Sequence, residues 1–127
     1  MPTSNPRQFD HEKLDVYQLA LSFVTWLADL LGEVRQSGTP RLREIIDQVD
    51  RASTSIVLNI AEGNGRRSTK QRARFFDDAR GSATESAACL DVLISKRAAT
   101  GERVMEGKHT LLRIVSILTK LVERFDK

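Results

Sequence analysis

Apolar residues recur at steps of three and four in four separate runs of this chain, and convincing strand alternation occurs nowhere in it. Val16, Ala20, Phe23, Leu27, Leu30 and Val34 form the first seam, and Leu42, Ile45, Val49, Ala52, Ile56 and Asn59 the second. Phe76, Ala79, Ala83, Ser86, Leu90 and Leu93 form the third, and Leu111, Val115, Leu118, Val122 and Phe125 the fourth. That period puts each set on one face of a helix. Short linkers between helices join antiparallel neighbours, so the sequence predicts an all-α, up-down-up-down antiparallel four-helix bundle over residues 13–127. The polar stretch 1–12 is expected to be a flexible arm without regular structure.

Helix ends are marked by chemistry as well as by period. Thr39 followed by Pro40 reads as an N-cap with proline at the first helical position, after the break SGTP. Ser68 with Gln71 three residues later is a capping box, which starts the third helix directly after two arginines. Gly63 and Gly65 are expected to take the left-handed conformation and end the second helix. AATGER separates the third helix from the fourth.

At 127 residues, 40% hydrophobic and 29% charged, the chain has the length and composition of one soluble globular domain. Its most apolar run, Leu19 to Leu31, is interrupted by Ser22, Thr25 and Asp29 and falls short of the roughly 20 residues that span a bilayer. MPTSNPRQ contains no apolar core of a signal peptide, so no membrane partner and a cytoplasmic location are expected. Cys89, the single cysteine, lies between Ala88 and Leu90 and reads as a small packed hydrophobe. Helix one carries Leu19, Leu21, Val24, Trp26 and Leu31 beyond its seam. Either it is central to the bundle or a second subunit covers its other face.

The charge is unevenly placed. Arg66, Arg67, Lys70, Arg72 and Arg74 are five cations in nine residues with no acid among them; the remaining 15 Lys and Arg face all 17 acids of the chain. Cations at the start of a helix oppose its dipole, which favours an external anion or an acid from elsewhere. Arginine forks match phosphate geometry, so the cluster is a candidate phosphate footprint; the alternative is a solvated face with Asp77 and Asp78 as local partners. Glu62, in what reads as the last turn of helix two, is expected to be held by Arg66, Arg67 or Lys70. A hairpin turning near residue 65 sets Arg51 level with Arg80, so Arg51, Ser55, Asn59, Glu62 and Arg80 are expected to form a polar band between helices two and three or between subunits.

Catalysis has no support in these residues. His11 and His109 show no zinc-site or triad spacing, and Asp77 and Asp78 point about 100° apart on a helix. GNGRR lacks the lysine-serine or lysine-threonine ending of a phosphate-binding loop and follows a helix. No enzyme activity, metal or cofactor is expected.

The run QVDRASTSIVLNIAEGNGRRS (48–68), with RFFDDARGSATE (74–85) after it, closely resembles the four-helix-bundle family of proteins encoded in intervening sequences of bacterial 23S ribosomal RNA genes, and LDVYQLA (14–20) looks like that family's opening motif. Arg51, Asn59, Glu62, Gly63 and Arg80 are among the matching positions. Val57 departs from the pattern, because relatives often carry proline there; its loss is expected to straighten helix two. The resemblance implies a small helical subunit assembled into a ring-like homopentamer. A related branch serves diversity-generating retroelements as an accessory protein that engages nucleic acid and a reverse transcriptase. A ring would repeat the basic cluster five times and present a continuous positive surface.

Two functions follow as expectations. In one, an oligomer binds nucleic acid, RNA rather than DNA, with Arg66, Arg67, Lys70, Arg72 and Arg74 on the phosphates. In the other, an assembly or adaptor subunit recognises a protein through the polar band. The lone Trp26 and Tyr17 occupy seam-like positions, so base stacking is not evident and backbone contact is expected.

Overall fold

The computed structural model describes residues 8–37 and 40–126. Four α-helices, α1 (Asp15–Gln36), α2 (Arg43–Gly65), α3 (Thr69–Ser95) and α4 (Gly101–Phe125), pack in cyclic order, each against its sequence neighbour and α1 against α4. No strand occurs among the described residues. The fold is the all-α four-helix bundle that the four seams predict. The first and third seams are buried at every named position. In α2 the core stripe is Ile46, Val49, Ala52, Ser53, Ile56, Val57, Ile60 and Gly63, so Ile45 and Asn59 sit at its edge, half-buried. In α4 the stripe centres on Val104, Leu111, Ile114 and Leu118, with Val115, Val122 and Phe125 packed beside it.

The surplus apolar residues of α1 are largely absorbed within the subunit. Leu31 is buried, and Leu19, Val24 and Trp26 pack against the core; Leu21 is 37% exposed. Trp26 lies on Gly107 of α4, where a Cβ would stand well inside van der Waals contact distance of three of its ring carbons. The Arg103 guanidinium lies over the same ring, 5.5 Å from its centre, and makes a forked hydrogen bond to Glu33, joining α4 to α1 at 2.6 and 2.9 Å. Packing within the subunit therefore accounts for most of the apolar excess of α1, although α1 is not central: its contacts with α2 and α4 are sparser than those of α3 with the same two helices.

The ends of the elements add detail to this frame. Asp10–Lys13 forms a 3-10 turn, closed by hydrogen bonds from Glu12 N to Phe9 O and from Leu14 N to His11 O, both 3.1 Å. It is tied to α2 by Asn64 Nδ2 donating to Asp10 Oδ2 at 2.9 Å, so the end of the expected arm is structured; residues 1–7 lie outside the described part. The expected cap at Thr39 also lies outside it, and a 3-10 turn, Pro40–Leu42, precedes α2. Between α3 and α4, Arg97 takes φ 62° while its N–H bonds to Ile94 O and that of Ala98 to Leu93 O. This is a Schellman motif with arginine where glycine is usual. Cys89 is 4% exposed; burial, aided by the charge of Glu85, pushes its thiol above the ordinary value, as befits a packed hydrophobe.

Candidate nucleic-acid interface

The corner between α2 and α3 is built from a cap and a close approach. α2 continues through Gly65; Arg66 is extended (φ −84°, ψ 144°), and Ser68 caps α3 by accepting from Gln71 N at 3.3 Å. Neither Gly63 nor Gly65 takes a positive φ, which corrects the expectation of a left-handed helix end. Gly63 is needed for another reason: a Cβ there would stand 3.0 Å from Phe75 Cβ and 3.0 Å from Phe76 Cε1, so its bareness lets α3 cross at this point. Helix two is continuous across Val57.

The five cations of the corner fall into two groups. Arg66 Nη2 meets Glu62 Oε2 at 2.7 Å, and its guanidinium lies 4.8 Å from the Phe75 ring centre. Arg72 Nε donates to the Arg66 carbonyl at 2.6 Å, and its guanidinium sits over Phe125. Both side chains are partly engaged inside the subunit, and Arg72 braces the turn more directly than Glu62 does. The Glu62–Arg66 pair spans one helical turn at the surface and is worth at most a few tenths of a kcal/mol.

Arg67, Lys70 and Arg74 form the other group. All three are exposed, and none makes an ion pair or side-chain hydrogen bond among the described residues. Of the two acids that could have neutralised them, Asp77 is turned to Arg80, and Asp78, exposed one turn after Arg74, makes no ion pair among the described residues. Lys70 and Arg74 stand one turn apart at the positive end of the α3 dipole, which adds to their attraction for an anion. Arg124, near the end of α4, shares the Phe125 ring with Arg72 and brings a further exposed cation to the same end of the bundle. Sequence reasoning passed over Arg124 because it stands fifty residues from the cluster and beside acids.

The expected polar band is divided. Ser55 and Ser82 hydroxyls meet at 2.9 Å, and Asn59 Nδ2 donates to the Ser55 carbonyl and hydroxyl at 2.9 Å. Arg51 Nη2 donates to Gln48 Oε1 at 3.0 Å, and Gln48 in turn reaches Glu85. Arg51 is thus level with Glu85, whereas Arg80 faces α4, bonding Thr119 Oγ1 at 3.3 Å as well as Asp77. The reason is the length of α2. Because it runs to Gly65 and the link follows it, the hairpin pivots near Ser68 and every α2–α3 pairing moves along α3.

Beside the corner, a groove of about 480 Å³ is lined by His11, Leu58, Ala61, Glu62, Gly65 and Arg66. Leu58, 59% exposed, is its apolar wall. Among the described residues no cluster of three or more His, Cys, Asp or Glu is placed to hold a metal ion, and no helix is long and apolar enough to cross a membrane.

The family model for the 23S rRNA-intervening sequence protein matches residues 12–120. This chain belongs to that family. The match takes in all of α1, α2 and α3, the capped corner and most of α4. As a member of the 23S rRNA-intervening sequence protein family it carries the cations of the corner inside the matched region, while Phe9, His11 and Arg124 lie beyond its limits. No curated protein matches the chain.

Proposed function

We propose that this protein is a non-enzymatic, ring-forming bundle, pentameric like the family it resembles, that binds RNA backbone through the corner of α2 and α3. The observation that carries this reading is the trio Arg67, Lys70 and Arg74, exposed, without an acid partner among the described residues, at the positive end of α3. Three uncompensated cations beside a helix N-terminus suit a run of phosphates, and repetition around a ring would extend the run. The family's connection with 23S rRNA intervening sequences makes RNA the first ligand to test. The adaptor alternative is less favoured, because Arg51, Asn59 and Arg80 spend their hydrogen bonds within the subunit.

Binding is tested by anisotropy of a fluorescent single-stranded RNA across a salt series, with the mass of the protein checked in solution. Log affinity should fall against log salt by about 0.7 per phosphate neutralised. Arg67→Ala/Lys70→Ala, which spares the two arginines engaged inside the subunit, should flatten that slope by about one unit or more while leaving assembly intact. Absence of binding at low salt by correctly assembled protein would overturn the proposal and direct attention to a protein partner.

A further inference from the structure

Phe9 is 71% exposed, yet its ring is held in place. It stacks on His11 with centroids 5.7 Å apart and planes at 17°, and His11 meets Tyr17 of α1 edge-on at 4.8 Å. The 3-10 turn that carries Phe9 and His11 is fastened to α2 by the Asp10–Asn64 hydrogen bond. His11 lines the groove beside the basic corner, with Leu58 and Ala61 as apolar lining and the Glu62–Arg66 pair in the same lining. Bare Gly65 also lines the groove, two residues before Arg67. An exposed aromatic pair, an apolar lining and an adjacent acceptor and donor, next to cations free to hold phosphate, match the chemistry of an unstacked nucleobase.

We infer that the Phe9–His11 pair and the groove below it receive one base of the single strand whose phosphates the corner holds, with the Glu62 carboxylate accepting from an exocyclic amino group of that base. The inference rests on the backbone-binding reading above and adds a base preference to it. Uracil lacks such an amino group and cytosine has one, so the carboxylate favours cytosine.

The test compares three labelled probes of equal length: oligocytidylate, oligouridylate and an abasic strand. Native protein should bind oligocytidylate most tightly and the abasic strand least. In Phe9→Ala the affinity ratio of either base-bearing probe to the abasic one should fall by about fivefold or more, the low end of what one stacked base contributes. Glu62→Gln should remove the preference for cytosine over uracil, and Arg67→Ala/Lys70→Ala should weaken all three probes together. Equal native affinity for the three probes would overturn this inference and leave backbone binding standing. No binding of any probe would remove the backbone reading and this one with it. If Phe9→Ala or Leu58→Ser changed the subunit number instead of the probe ratios, the groove would be a contact between subunits and the inference would fail.

Discussion

At Gly107 an added Cβ would run into the ring of Trp26, and at Gly63 into Phe75 and Phe76, whereas at Gly81, inside α3, it would meet nothing within 4 Å. The same substitution therefore has opposite effects. Gly107→Ala should displace the indole from α4 and destabilise by about 1–3 kcal/mol, the cost of forcing extra volume into a packed contact. Gly81→Ala should stabilise by up to about 1 kcal/mol, because alanine restricts the unfolded chain and favours the helix. Denaturant midpoints of the two variants against the native protein check both. Only part of this was legible in the sequence. Gly63 stood out beside Gly65, but its role is close approach, and nothing near Gly107 announced that Trp26, eighty-one residues earlier, would lie on it.

The ends of elements set the register of the bundle. Ser68 was legible as a cap because its oxygen and the Gln71 N–H lie within one turn, and the cap forms as read. The end of α2 was misjudged because two glycines permit a left-handed residue without requiring one, and the helix runs on when Phe75 and Phe76 pack over Gly63. That small extension carried Arg51 to Glu85 and turned Arg80 to α4. The end of α3 holds the converse case, an arginine in a left-handed position that glycine would occupy without strain. Arg97→Gly should stabilise the protein by roughly 0.5–1 kcal/mol, net of the greater freedom glycine gives the unfolded chain. Thermal denaturation would register it as a rise in Tm, and a fall would mean that the Arg97 side chain does more than its backbone suggests.

For the whole molecule, the end opposite the basic corner is fastened by Glu33 and Arg103. Hydrogen bonds from Arg103 hold the Glu33 carboxyl below its ordinary value. A depressed folded pKa means that the stabilisation is present above the unfolded value, about 4.3, and is lost as pH falls through the lower folded one. Glu33→Gln should accordingly unfold at lower denaturant than native protein at pH 7, with the gap closing on acidification below about pH 4. A gap independent of pH would remove the carboxylate from that role. Assembly is tested on another surface. Met105 and Leu112, 52% and 66% exposed, lie seven residues apart on the outward face of α4. If that face is covered in a ring, Leu112→Glu should lower the mass seen by light scattering while the helical signal is kept.

The sequence by itself determined the four helices, their antiparallel order, the capped start of α3 and the concentration of cations there, because periodicity, capping and local charge act over a few residues. Only the tertiary structure decided which cations stay free. Phe75 and Phe125 draw Arg66 and Arg72 inward, Asp77 turns to Arg80, and the 3-10 turn brings Phe9 and His11 to the corner. Those outcomes depend on which surfaces meet once the helices pack, and contacts between residues tens of positions apart leave no periodic trace in the chain.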